Sequence, residues 1–222
     1  MHAAPLKLLY EDKALLVFDK PPGLLAVPGR GPDKQDCLAT RARQRWPDAL
    51  VVHRLDMATS GLMLMARGAP AQRRLSLAFE QREVHKRYVA VVDGILNAPE
   101  DAPGEAQDGW AVINLPIIVD WPNRPLRIID AAMGKPSVTR WRVLSHDAAA
   151  RTTRLELEPV TGRSHQLRVH LKALGHPILG DMLYADARVQ ARAPRLLLHA
   201  SSLSLAHPEN QEPSTFESAV PF

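Results

Sequence analysis

Short apolar blocks and alternating apolar-polar runs of strand length cover most of the chain, and three stretches carry the three-to-four spacing of a helix. "LKLLY" and "ALLVFDKPPG" predict two strands joined by a Glu-Asp-Lys turn, the second ended by Pro21, Pro22 and Gly23. Residues 28–36, "PGRGPDKQD", read as a loop, and 37–46 as a short helix ending before Pro47. Val51 and Val52 lead into "HRLDMATSG", and "LMLMAR" after Gly61 predicts a buried strand. From Pro70 onward Ala71, Leu75, Ala78 and Phe79 share one helical face, with Arg73, Arg74 and Arg82 largely elsewhere on the wheel. "KRYVAVVDG" reads as a strand closed by Asp-Gly, and "KPSVTRWRVLSH" and "TTRLELEPVT" as antiparallel neighbours across a turn at 147–151. "GRSHQLRVHLKALGHP" predicts a helix with Leu167, Leu171 and Leu174 inward, stopped by Gly175 and Pro177. "LLLHASSLSLAHP" and "TFESAV" complete the chain as strands. Strand runs with few helices indicate an α+β fold on a mixed, largely antiparallel sheet with flanking helices.

A length of 222 residues fits one large domain or two small ones, and a single catalytic domain over 1–222 is the simpler expectation. The acidic, Pro/Gly-rich stretch 97–109 then reads as an exposed loop within that domain. Cys37 is the only cysteine, which excludes an internal disulfide and any Cys-x-x-Cys zinc or redox site. No apolar run reaches membrane-helix length and the first residues lack signal-peptide order, so the expected location is the cytoplasm. Basic residues exceed acidic ones by four, 28 against 24, the direction expected for a partner made of phosphates. Of these, 21 are Arg and 7 Lys, which suits forked recognition of phosphates and base edges but equally a GC-rich coding sequence.

Asp56 is the chemical anomaly. A carboxylate after His-Arg-Leu, flanked by apolar strands, is expected to be partly buried, and its burial costs several kcal/mol unless paired. Arg54 and Arg163 are the candidate partners; a pair would keep Asp56 ionised, ready as a nucleophile or base. The alternative is that Asp56 caps the turn at 57–61. His165 and His170 are five apart, off the metal-binding period of four, and no metal is expected. His53 and His199 read as structural histidines, and Tyr88 by default as core packing. Arg73, Arg74 and Arg82, with Arg168 and Lys172 four apart, fit either phosphate tracking or a solvated helix face.

"HRLDMATSGLMLMARG" resembles the catalytic-aspartate motif of RluA-type pseudouridine synthases. Further signatures follow in family order: "DKPPGLLAVPG" at 19–29, "KRYVAVVDG" at 86–94, "PVTGRSHQLRVHLKALGHPILGD" at 159–181 and "LLLHA" at 196–200. "LPIIVDWPNRP" and "GKPSVT" resemble the subgroup that modifies both a tRNA anticodon stem-loop and a 23S ribosomal RNA hairpin. The resemblance implies the pseudouridine synthase fold with a central cleft, and cofactor-independent, metal-independent isomerisation of uridine, at tRNA uridine 32 and 23S uridine 746. It makes Asp56 the catalytic aspartate, lays Tyr88 against the uracil and pairs Arg163 with the aspartate. Arg54 then enters the RNA stack as the target uridine leaves, as wedges do elsewhere. His53, Thr59, Leu167, Arg168 and Leu198 are the other expected substrate contacts.

Relatives often carry an N-terminal RNA-binding domain. Here about fifty residues precede the motif and read as catalytic-domain strands, so none is expected. A monomer acting on structured RNA, without membrane contact, is the resulting picture. The rival is a noncatalytic RNA-binding or ribosome-assembly protein on the same scaffold; a nucleoside hydrolase would instead release free uracil.

Overall fold

The computed structural model describes residues 5–97 and 109–222, so most of the acidic stretch and the first four residues lie outside the described residues. In chain order the elements are β1 (Lys7–Glu11), β2 (Leu15–Lys20), α1 (Leu38–Arg45), β3 (Ala49–Val51), β4 (Ser60–Arg67), α2 (Gly68–Glu80), β5 (His85–Asp93), β6 (Ala111–Asn114), β7 (Ile117–Val119), β8 (Arg127–Ile129), β9 (Val138–Asp147), β10 (Thr152–Pro159), α3 (Gln166–Ala173), α4 (Ala187–Gln190), β11 (Leu198–Ala206) and β12 (Pro213–Glu217). They fall into two compact units: residues up to Lys86 with His199–Pro221, and Arg87–Leu198 with Phe222.

In the first unit β1 pairs with β2 and β2 with β4, both antiparallel, as "LKLLY" and "ALLVFDK" predict. The other edge of β4 is shared: β3 lies antiparallel along its end and β11 parallel at its start, where His199 faces Ser60 and Ala200 faces Gly61. β12 closes this sheet against β11. Both faces of β2 and β4 are covered, which explains their unbroken apolar runs: Leu15 to Phe18 and Met63 to Ala66 are 0% exposed. α1 is capped by the Cys37 sulfur, which accepts the Thr40 N–H at 3.3 Å, and buries Leu38, Ala39 and Ala42. α2 begins at Gly68, two residues before the expected Pro70; proline fits in a first turn, where its missing N–H has no helical partner to lose. Its buried stripe is Ala71 and Leu75, with Ala78 and Phe79 half-buried.

In the second unit β5, β10, β9 and β6 form an antiparallel sheet in that order. The β9–β10 hairpin turns where the sequence predicts, with Arg151 left-handed at φ 50°. β7 and β8 pair as a separate hairpin that packs Ile117, Leu126 and Ile129 against Val169 of α3 and Tyr184. Among the described strands within the units, β4 with β11 is the parallel pair and the others are antiparallel, so the sheet is mixed and mostly antiparallel, with few helices. Among the described residues no helix is long and apolar enough to cross a membrane.

Candidate active site

The Asp56 loop is anchored by a buried charge. β2 ends on Lys20, which is 0% exposed; its ammonium donates to the carbonyls of Pro21 at 2.9 Å, Leu24 at 2.8 Å and Met57 at 3.0 Å. Gly23 N–H also donates to Met57 C=O, at 2.8 Å. Carbonyl oxygens thereby offset the burial of the cation, and the Pro-Pro-Gly turn is tied to the residue after Asp56. Asp56 itself is half-buried, and its carbonyl accepts the buried Thr59 N–H at 3.1 Å, so main-chain groups close the turn. Leu55 points inward at 6% exposure, while Arg54 is exposed. Gly61 follows at φ 106°, and a Cβ there would stand 2.3 Å from the Ala200 carbonyl oxygen; the close approach of β11 demands glycine.

His53 and His199 both make hydrogen bonds inside the first unit. His53 Nε2 accepts the Leu64 N–H at 2.9 Å, and its ring stacks on Phe79 with centroids 4.7 Å apart. Burial, and then the Lys86 ammonium, push its pKa down to about 3. His199 is 1% exposed and bridges Ser60 Oγ at 2.9 Å and Ser218 Oγ at 3.0 Å. Because the folded pKa of His53 lies below its free value of 6.5, folding excludes a proton there. That contribution is complete above pH 6.5 and is lost as pH falls toward 3, with a slope of up to about 1.4 kcal/mol per pH unit. Thermal melts from pH 7 to pH 4 should therefore fall more steeply for the native chain than for His53→Gln, which does not titrate. Parallel curves would refute the coupling. Burial lowers His170 as well, but equally in both proteins.

In the second unit Tyr88 is half-buried on β5, opposite Leu157 of β10. Arg163 is exposed on the turn before α3, with Nε 3.4 Å from the Pro136 carbonyl. That turn is built by Gln166, which is 4% exposed. Its Oε1 accepts from Thr161 Oγ1 at 2.8 Å and Arg163 N–H at 3.0 Å, and its Nε2 donates to Val138 C=O at 2.9 Å and Thr139 Oγ1 at 3.0 Å. His165 takes a left-handed φ of 60° and meets Tyr184 Oη at 2.6 Å through Nδ1. Leu167 and Leu198 are buried at 7% and 3%.

Arg168 corrects both readings of its helix face. It is 4% exposed and bonds Asp181 through two nitrogens, at 2.8 and 2.6 Å. Asp181 also accepts the Leu183 and Tyr184 N–H groups. The guanidinium thus packs inside the unit, because a counter-charge thirteen residues away meets it; helical periodicity cannot reveal such a partner. Lys172 is exposed and lies 5.8 Å from the Tyr184 ring centre. Arg74 donates to the Pro208 carbonyl, while Arg73 and Arg82 remain on the exposed side. Lys20, Gln166, Asp181 and Tyr184 escape sequence reasoning; Lys20 alone carried a signal, as a charged residue closing an otherwise buried strand.

The model for RNA pseudouridylate synthases matches residues 14–173. The chain is 46% identical over 217 residues to the dual-specificity RNA pseudouridine synthase RluA of Escherichia coli, covering 98% of this chain and 94% of that protein. The Yersinia pestis protein of the same name is also 46% identical, over 215 residues, covering 97% and 99%. Among solved structures, human RNA pseudouridylate synthase domain containing 1 superposes with a TM-score of 0.76 at 29% identity, covering all of this chain and 87% of that one. The order of motifs around Asp56, the mixed sheet and these matches agree: the chain belongs to the RNA pseudouridylate synthase family of isomerases.

Proposed function

We propose that the chain isomerises uridines in structured RNA loops, with tRNA uridine 32 and 23S ribosomal RNA uridine 746 as targets, as a cytoplasmic monomer whose residues 1–222 form one catalytic domain. The observation that carries this reading is the Lys20-anchored loop, which holds a half-buried Asp56 beside an exposed Arg54 in a chain 46% identical to dual-specificity synthases. Asp56 supplies the carboxylate that assists cleavage of the N1 glycosidic bond, with Arg163 as its proposed cationic partner and Tyr88 as the proposed contact to the uracil. The base then rejoins the ribose through C5, the C5 hydrogen leaves to water, and N1 takes up a proton. The rearrangement conserves all heavy atoms and needs no redox partner. Arg54 fills the space of the extruded uridine, offsetting part of an unstacking cost of a few kcal/mol. His53, Thr59, Leu167, Arg168 and Leu198 are the further proposed substrate contacts, of which Arg168 would have to leave its pair with Asp181 to serve.

Incubation with RNA tritiated at uridine C5 tests the reading: release of label to water is the expected result. A folded protein that binds tRNA and 23S hairpin transcripts and releases nothing would be a binder on the same scaffold; free uracil would mark a hydrolase. Arg54→Ala should slow turnover at stem-embedded uridines by about tenfold or more while sparing flexible single strands, since only the former need the wedge. Equal losses on both would remove Arg54 from that role.

A further inference from the structure

The second unit contains a polar cavity of about 490 Å³ that none of the proposed catalytic groups lines. Its walls are Asp93, Gly94, Ala150, Arg151, Arg188 and Arg192. Arg188 grips Asp93 through two bonds of 3.2 and 2.6 Å, and Arg192 bonds both Asp93 and the Ala150 carbonyl. The Arg188 hydrogen bond first, with Arg192 adding to it, holds the Asp93 carboxyl below its usual range. Arg151 is different: its carbonyl accepts the Gly94 N–H at 2.9 Å, its backbone is left-handed at φ 50°, and its exposed guanidinium has no ion pair or side-chain hydrogen bond among the described residues. Three guanidiniums therefore line the cavity against one carboxylate, leaving two positive charges in excess. Asp186, whose charge acts on Arg188, caps α4 by accepting the Val189 N–H, and Asp147 accepts the Ala150 N–H, both at 2.8 Å.

We infer that this cavity seats a backbone phosphate of the substrate RNA, away from the reacting nucleotide; the inference rests on the RNA-acting reading above. Guanidinium forks with N–H groups left over match a phosphate, which accepts from several donors at once. Asp93 limits the excess and fixes the orientation of Arg188 and Arg192, so the forks are positioned before the anion arrives. Tyr88 and Asp93 are five residues apart on β5, roughly 17 Å at strand rise, so the seat reaches a segment of RNA flanking the target and gives no contact to the uracil. The position on β5 therefore calls for a contact that adds affinity and register without entering the chemistry.

The test replaces Arg151, which makes no structural side-chain bond, by glycine, the residue best suited to a left-handed φ, and separately by glutamate. With a tRNA transcript, Arg151→Gly should raise Kd about three- to tenfold and lower the slope of log K against log salt by about one, with kcat unchanged. Arg151→Glu should weaken binding further. Unchanged Kd and salt slope in both variants would overturn the inference, as would weakened binding accompanied by a lowered melting temperature in Arg151→Gly. Titrating the native chain with inorganic phosphate separates the sources: protection of the cavity by free phosphate, with RNA affinity unaffected by the variants, would assign the seat to a small anion and overturn the RNA assignment. Tritium release by the native chain reports separately on the isomerase reading, so the two can fail independently.

Discussion

Asp56→Asn is expected to cut tritium release from C5-labelled RNA by at least about a thousandfold, some 4 kcal/mol of transition-state stabilisation, while RNA binding stays within a few fold. Asparagine keeps the size and planarity of the side chain but carries no negative charge, so neither attack on the ribose nor removal of a ribose proton remains available. The loop should survive the change. Its geometry is set from outside the carboxylate, by Lys20 and Gly23 on the Met57 carbonyl and by the main-chain bond from Thr59 to Asp56. Arg54 stays exposed next to it, so the cation proposed to meet the RNA is retained. Simultaneous loss of turnover, binding and melting temperature would make Asp56 a structural residue; retained turnover would pass the chemistry to another group.

The long elements were legible because each carries its own period or its own punctuation. β2 and β4 announce themselves as apolar runs, since burial on both faces removes the need for alternation. The β9–β10 hairpin shows in alternation on either side of a polar turn, and α3 in the leucines that precede Gly175. What escaped is short or depends on distant partners. β3, β7 and β8 have three residues each and α4 has four, too few for a period to declare itself. The parallel contact of β4 with β11 joins residues about 140 positions apart and is encoded locally only by Gly61, whose missing Cβ lets Ala200 approach.

The site divides along the same line. Asp56 is visible as a charge where apolar residues are due, while Tyr88 and Arg163 are proposed on family resemblance alone. Composition and spacing could not distinguish His53 as a main-chain acceptor from His53 as a ligand contact; that depends on Leu64 and Phe79, brought up by β4 and α2. Lys-Pro-Pro-Gly is a common string, and its worth here comes from the carbonyl of Met57, 37 residues further on. The Arg168 and Lys172 pair illustrates the reverse error. Spacing of four gives two cations one helical side, but the interior of the unit offers Asp181 to the first and solvent to the second.

Asp181→Ala should lower unfolding free energy by about 3–5 kcal/mol, measured by chemical denaturation, because the Arg168 guanidinium would remain buried without its carboxylate. The same change strips the Leu183 and Tyr184 N–H groups of their acceptor. Arg168→Met leaves the carboxylate with those two N–H donors and a side chain of adequate length in place of the cation, so its cost should be smaller, about 1–3 kcal/mol. In the double variant the losses should sum to less than the two singles, since removing the second charge relieves the penalty created by removing the first. RNA titration then separates a folding role from a ligand role. If Arg168 serves by holding α3 to the segment that carries Asp181 and Tyr184, Arg168→Met weakens RNA binding only under conditions where it also unfolds the protein. A folded Arg168→Met protein with a tenfold higher Kd and a reduced salt slope would instead require the guanidinium to leave Asp181 for a phosphate, at the expense of the buried pair.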